Sequence, residues 1–298
     1  MTVIRGHHDA DGITSAFFTS FGVPHPVIEI WNGSFGDTTG LNSGDYMVDM
    51  RPKQNLKGLN VIDHHGPYPL DRKYNLTTDD VPASYICWNK FKDKIPKEEW
   101  WKLAIGLMGD GQPELIPYEI HEMCPQLRSQ YKTSSKYYYK WNVNYFPTYK
   151  LLSSPINSLL RIGKMDSAVK LITESKNPLD ILNNVEANEA KEFCKKERDK
   201  LIHSSKSYDF SDLAIFIFES DIRMSGYLAS VMQNALNKTV ICINSKSGRG
   251  SLRGDLSLYY RDKLKHLDYL IIDGHPGFMG VSITENPDVF IYDLIDII

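Results

Sequence analysis

Apolar positions in the first half of the chain fall into short runs, each broken by a polar or glycine-rich turn. Val3-Ile4 leads into Gly6-His7-His8-Asp9, after which Gly12 opens a helix predicted through Thr14 to Thr19. Tyr46-Met47-Val48 reads as a strand ending at Asp49, just before the stop at Pro52. Val61-Ile62 reads as another, ending in Asp63-His64-His65-Gly66, and Gly106-Leu107-Met108-Gly109 repeats the pattern up to Asp110. Continuous β-branched runs of this kind read as buried parallel strands, and in open α/β sheets ligands collect beyond the carboxyl ends of strands.

The middle of the chain has a different texture. Residues 130–150 interleave lysines with aromatics, and Lys132, Lys136 and Lys140 fall at helical spacing, which would present one positive face. That stretch either stacks bases and neutralises phosphates along a single strand or packs aromatics beneath solvated lysines. Leu179, Ile181, Leu182, Val185, Ala187 and Ala190 then predict one helix over residues 179–203, charged from Lys191 to Lys200 and ending at Ser204-Ser205-Lys206-Ser207. Beyond it, Leu213–Phe218, Val240–Ile243 and Tyr269–Ile272 read as buried strands around a helix from Gly226 to Leu236. The expected architecture is α/β, with a mostly parallel-sheet N-terminal domain (1–185), a helical connector (186–207) and a smaller α/β C-terminal domain (208–298), a cleft lying between the domains.

Composition narrows the class without deciding it. The 298 residues suit about two domains, and 42% hydrophobic with 24% charged residues is ordinary for a soluble globular protein. A net charge of −3 argues against a generally basic nucleic-acid binder but leaves room for a local basic groove. Cys87, Cys124, Cys194 and Cys242 have no paired spacing and read as reduced thiols, not a zinc site or a disulfide frame. With no signal peptide and no membrane-spanning apolar run, the expectation is a soluble, cytoplasmic protein that binds no membrane.

The chemistry lies at the ends of the runs. His7, Asp9 and Asp11 alternate at a spacing of two, so an extended segment would point all three the same way and suit a divalent cation. The alternative for that segment is an Asx-type turn in which Asp11 caps the helix. Asp49 or Asp110 alone would be a turn residue. Four separate runs that deliver only Asp and His at their ends are harder to assign to turns.

His7-His8-Asp9-Ala10-Asp11-Gly12, Asp49, Asp63-His64-His65 and Asp110, in this order, resemble the four motifs of the DHH phosphoesterase superfamily. The resemblance implies that His7, Asp9 and Asp49 hold one metal, and that Asp11, Asp49, His64 and Asp110 hold a second, with Asp49 bridging. His65 would stay unligated and touch the phosphate, so His65, Asp49 and Asp110 are the expected catalytic residues. A donor set of oxygen and imidazole without thiolate favours Mn²⁺, with Mg²⁺ the alternative, over structural zinc. Two such cations about 3.5–4 Å apart lower the pKa of a water and neutralise phosphate oxygens in an in-line displacement.

Further motifs narrow the branch. Ser154-Pro155-Ile156-Asn157 through Arg161 resembles a Pro-Asn-Gly-Arg segment of RecJ-like proteins, with Leu160 standing where that branch has glycine, and implies a phosphate contact for Arg161. Ser251-Leu252-Arg253 and Asp273-Gly274-His275 resemble the Ser-x-Arg and Gly-Gly-His elements of the DHH-associated domain, Asp273 replacing the first glycine. By that resemblance Arg253, Gly274 and His275 bind substrate. Arg249, among the same glycines, suits bidentate phosphate contact. The expectation is a two-metal phosphodiesterase that cuts single-stranded DNA or short oligonucleotides to nucleoside monophosphates, as a RecJ-like 5′→3′ exonuclease does. The alternatives are an oligoribonuclease of the nanoRNase type, a cyclic-dinucleotide phosphodiesterase and a non-catalytic replication scaffold. The 154–163 segment favours the exonuclease, whereas the lack of room for an added oligonucleotide-binding barrel favours short substrates.

Overall fold

The computed structural model describes residues 1–297 apart from 34, 67, 125–129, 133–144, 148, 149 and 276. The described chain forms two units, one ending at Lys191 and the other beginning at Glu192.

In the first unit, five short strands form an all-parallel sheet: β1 (Thr2–Gly6), β2 (Pro26–Ile30), β3 (Tyr46–Val48), β4 (Asn60–Ile62) and β5 (Asn75–Thr77), in the order β2-β1-β3-β4-β5. The chain runs from β1 out to β2 and returns across β1 to β3, so the strand order reverses beside β1, where open sheets bind ligands. The ladder also continues one step past the strand ends. His7 N–H donates to the Val48 carbonyl (3.3 Å), Asp49 N–H to that of Ile62 (2.9 Å) and Asp63 N–H to that of Thr77 (3.2 Å). This register brings His7, Asp49 and Asp63 side by side along one edge. Buried Ile4, Met47, Val48, Val61 and Ile62 hold the strands beneath them.

Helix α1 (Ala10–Ser20) starts two residues earlier than its sequence pattern suggests, because Asp9 caps it: Asp9 Oδ1 accepts from Gly12 N–H at 2.9 Å. Asp9, not Asp11, is therefore the cap, and the single extended segment expected for His7, Asp9 and Asp11 ends at Asp9. Asp11 lies in the first helical turn. Gly12 is required here, since a Cβ would sit 2.4 Å from the His7 carbonyl oxygen.

Helices α2 (Ala83–Phe91) and α3 (Leu103–Gly109) pack on α1. The run before Asp110 is thus a helix, not the strand its apolar pattern resembled; a short, wholly buried run has no period to separate the two. Gly109 is explained by packing, as its Cβ would stand 2.8 Å from that of Ala10. There follow α4 (Tyr118–Met123), an antiparallel ribbon of β6 (Gln130–Lys132) and β7 (Tyr145–Pro147), α5 (Lys150–Arg161) and α6 (Met165–Glu174). Lys132 closes a strand and so cannot belong to a helical lysine face; Lys136 and Lys140 lie outside the described residues.

The helix expected over 179–203 is two: α7 (Pro178–Leu182) and α8 (Val185–Ser204). Asn177 and Asp180 form a capping box on α7, and Asn184 Oδ1 accepts from Ala187 N–H at the start of α8. Paired asparagines break the apolar repeat and start the helix afresh. The division between the units falls within α8.

The second unit holds β8 (Lys206–Asp209), β9 (Leu213–Phe218), α9 (Ser225–Leu236), β10 (Thr239–Asn244), β11 (Arg249–Arg253), α10 (Ser257–Leu264), β12 (Leu270–His275), β13 (Phe278–Ile283) and α11 (Pro287–Ile297). Its sheet runs β12-β13-β11-β10-β9-β8 and is antiparallel except between β9 and β10. One face packs Ile215, Ile241, Leu252 and Met279 with Tyr260 and Phe290; the other packs Ala214, Val240 and Cys242 against Leu228 of α9. All four cysteines are buried and none is in a disulfide. Among the described residues, no helix is long and apolar enough to cross a membrane.

Gly12→Ala tests the seating of α1. Its methyl group meets backbone, which cannot swing aside, so the variant is expected to lose about 1–3 kcal/mol or more in denaturant unfolding. Unchanged stability would show that α1 does not sit this closely on His7.

Candidate metal centre

Five carboxylates and three imidazoles converge at the C-terminal edge of the parallel sheet. His7 and Asp9 come from the β1–α1 turn, Asp11 from the first turn of α1, Asp49 from the end of β3, Asp63, His64 and His65 from the end of β4, and Asp110 from the C-terminal cap of α3. Asp49 adopts φ +58°, a left-handed conformation uncommon outside glycine and asparagine or aspartate, and is 1% exposed. That strained backbone places its carboxylate in the middle of the group. Asp49 Oδ2 lies 3.5 Å from His7 Nδ1, while Oδ1 lies 3.2 Å from His64 Nε2. His7 Nδ1 is also 2.8 Å from Asp9 Oδ2, and His64 Nε2 is 3.3 Å from Asp110 Oδ2 and 3.9 Å from Asp11 Oδ2.

Three overlapping sets thus bring a ligand atom from each member within 4.8 Å of the others: His7–Asp9–Asp49, Asp49–His64–His65 and Asp11–His64–Asp110. Neighbouring ligands on an octahedral cation bound at about 2.1 Å are separated by roughly 3 Å, close to the spacings found here. His7 Nδ1 is buried without an aligned hydrogen bond although two carboxylates stand beside it. This donor set fits divalent cations of the Mn²⁺ or Mg²⁺ kind.

Titration behaviour follows from the crowding. Burial, and then the charges of Asp9 and Asp11, push the Asp49 carboxyl well above the usual carboxylate range. Burial, then Asp11 and Asp49, do the same to Asp110, which also sits at the negative end of α3. Asp11 is raised, chiefly by burial. Burial opposes ionisation of Asp9 too, but the adjacent His7 outweighs it and holds Asp9 below the usual range. Burial would lower His7; the carboxylates of Asp9 and Asp49 hold it well above its ordinary value.

Two neighbours tie the cluster to the fold. Asp11 Oδ2 and Oδ1 accept the first amides of α2, from Ala83 (2.9 Å) and Ser84 (3.1 Å). Asp63 is fully buried; its Oδ1 is 2.7 Å from His65 Nδ1, and its Oδ2 accepts from Tyr68 Oη at 3.0 Å. His65 holds Asp63 below the usual carboxylate range against the opposing effect of burial. The orienting role of Asp63 and Tyr68 was not read from the sequence, although Asp63 occupies the first place of the Asp-His-His triplet. Phe35 was missed as well: its ring meets those of His7 and His65 edge-on, at 5.3 and 5.6 Å.

The other expected site residues come from other elements. Arg161 ends α5, after a buried Leu160. In the second unit, Arg249, Ser251 and Arg253 alternate along one face of β11, and the Arg253 guanidinium approaches Gly226 at the start of α9. Arg253 Nη1 also donates to the Leu252 and Met279 carbonyls, both at 3.0 Å. Burial, and then nearby Arg249, bring the Arg223 guanidinium down to about 10. Gly274 and His275 end β12; Gly274, expected to open access to substrate, is required by its strand partner, since a Cβ would stand 2.8 Å from the Phe278 carbonyl oxygen.

No family model matches this chain, and no curated protein matches it by sequence. Solved structures do. RecJ from Thermus thermophilus in complex with Mn²⁺ is similar over 98% of this chain and 50% of its own length, with 14% identity and a TM-score of 0.63. An exonuclease RecJ bound to manganese is similar over 95% of this chain and 86% of its own (16%, TM-score 0.57). The pGpG-specific phosphodiesterase PggH from Vibrio cholerae is similar over 99% and 98% (12%, TM-score 0.51). The chain spans about half the length of the Thermus protein. It has the mixed α/β fold that RecJ displays.

The raised carboxyls predict a pH dependence for metal-free protein. Above about pH 5, unfolded aspartates are already ionised while Asp49 and Asp110 still hold protons in the fold. The unfolded state then binds fewer protons, so this cluster's contribution to stability falls as pH rises through the raised values; raised His7 acts in the same direction above about pH 6.5. Thermal melts in chelator from pH 5 to 8 should show that loss, and Asp49→Asn, which keeps a residue tolerant of positive φ, should flatten it and raise the midpoint at pH 8. A lower midpoint for the variant would contradict the crowding.

Proposed function

We infer that this protein is a two-metal phosphodiesterase acting on single-stranded nucleic acid or short oligonucleotides, with the DHH domain in residues 1–185, a connector in 186–207 and a DHH-associated domain in 208–298. The observation that carries the reading is Asp49: one buried carboxylate offers Oδ2 toward His7 and Asp9 and Oδ1 toward His64, and so can bridge two cations. His7, Asp9 and Asp49 would hold the first, and Asp49, His64, Asp110 and Asp11 the second, with Mn²⁺ favoured over Mg²⁺. RecJ has been crystallised with both ions. When bound, the cations supply Lewis acidity and a water of lowered pKa.

The chain's own groups do the rest. Asp63 accepts from His65 Nδ1 and fixes its tautomer, which leaves Nε2 to contact a phosphate oxygen and, when protonated, to donate to the leaving oxygen. Tyr68 holds Asp63 from the far side. Asp11, bonded to the start of α2, keeps α1 and α2 in register around the centre. Arg253, Arg249 and His275 of the C-terminal domain, with Gly274 beside them, and Arg161 of the first would bind substrate phosphates. RecJ-like 5′→3′ exonucleolysis to nucleoside monophosphates is the leading activity. Likeness to PggH, a pGpG-specific phosphodiesterase, along nearly its whole length favours a second reading, hydrolysis of linear dinucleotides, with cyclic dinucleotides a further alternative.

Mn²⁺-dependent cleavage of a dinucleotide, a cyclic dinucleotide and a single strand labelled at either end is the test. Asp49→Ala and Asp110→Asn should abolish turnover. His65→Ala should lower kcat by about 10²–10⁴ with Mn²⁺ affinity unchanged, and Asp63→Asn should lower it in the same way. Full activity in either Asp49 or Asp110 variant, or no Mn²⁺-dependent cleavage by the wild type, contradicts the reading.

A further inference from the structure

Phe35 lies on the β2–β3 connection, 37% exposed, beside the cluster of carboxylates and imidazoles. Its ring stands nearly perpendicular to those of His7 (87°) and His65 (78°), and so spans from one candidate cation set to the residue set against the phosphate. The loop presenting it is anchored on both sides. Upstream, the Arg5 guanidinium stacks over Trp31 at 4.0 Å, and Gly33 lies so close to that indole that a Cβ would meet it at 2.5 Å. Downstream, Gly36 at φ +74° rests on the Arg51 carbonyl, and its own carbonyl accepts from Lys53 N–H at 2.8 Å. Arg5 Nη1 then donates to the Asp37 carbonyl at 2.9 Å, and Thr38 bonds Gln54. An aromatic presented between such anchors, with exposed surface, loses little entropy when a flat partner covers it. Its setting excludes a purely core role, since the groups it borders are carboxylates and imidazoles.

We propose that Phe35 is the stacking platform for the nucleobase next to the scissile phosphate, and so makes this centre select nucleotides over simple phosphodiesters. The proposal rests on the phosphodiesterase reading. Its chemistry is that of base–aromatic contact, which tolerates every base because each has a π-face. Phe35 acts by positioning; it holds no cation and moves no proton.

Two measurements decide it. In the first, trinucleotides carrying an abasic residue on one or the other side of the cleaved bond are compared with the intact substrate. Phe35→Ala should lose roughly tenfold to a hundredfold in kcat/KM on the intact substrate and nothing further on one of the abasic ones. Phe35→Trp should restore activity and Phe35→Leu should not, with Mn²⁺ affinity and thermal midpoint the same in all three variants. Equal losses on intact and both abasic substrates, or no loss, overturn the proposal. In the second, AMP and ribose 5-phosphate are titrated calorimetrically into the Mn²⁺-loaded protein. Wild type should bind AMP more tightly, and Phe35→Ala should remove the difference; a difference that survives, or none in the wild type, overturns it. Absence of cleavage by the wild type would contradict the phosphodiesterase reading, and the titration would still decide the role of Phe35.

Discussion

Like charges brought together without water are the constraint on which this structure turns. Asp9, Asp11, Asp49, Asp63 and Asp110 meet in one place, and all but Asp9 and Asp110 are fully or almost fully buried. Left to themselves they would not all be ionised, which is why Asp49 and Asp110 are driven far up while Asp9 and Asp63, whose imidazole neighbours stand closer, at 2.8 and 2.7 Å, are driven down. The fold holds the cluster against this repulsion with backbone: three ladder bonds that extend past the strand ends, a helix N-terminus aimed at Asp11, and a left-handed turn at Asp49. Strain and repulsion of this kind persist where surrounding structure over-determines them, and such places are characteristically functional.

Much of this was legible in the residues. The runs ending at Asp49 and at Asp63-His64-His65 mark strand ends, and the register of a parallel sheet then brings those ends together without any contact having to be foreseen. The ligand groups named from the sequence are brought within reach of one another by the fold. What could not be read was how each residue arrives. Asp110 comes from a helix because Gly106 and Gly109 are small enough for α3 to lie on α1 and α2, and a short buried run gives no period to show it. Asp9 takes the cap that Asp11 could equally have taken, and only the closeness of Gly12 to His7 decides between them.

Side chains that serve another side chain were harder still. Tyr68 carries no motif, and its bond to Asp63 depends on how the loop after β4 turns. Phe35 is thirty residues from His65 and owes its place to Arg5, Arg51 and Lys53, none of which advertises a site. In the second unit, the alternation Arg249-Ser251-Arg253 could be seen in sequence as arginines among glycines, but its strand character, and the helix start that meets Arg253, come only from the sheet. Arg223, five residues past the end of β9 and far from any arginine motif, joins them through folding alone.

The central claim is that Asp49 joins two cation sites into one centre. Electron paramagnetic resonance of the protein loaded with Mn²⁺ tests this most directly, because two manganese ions sharing a carboxylate couple magnetically, whereas isolated ions give the six-line spectrum of Mn²⁺. The account predicts two ions per chain with a coupled signal that reverts to isolated-ion lines in Asp49→Ala. A single uncoupled ion in the wild type, or none, would contradict it.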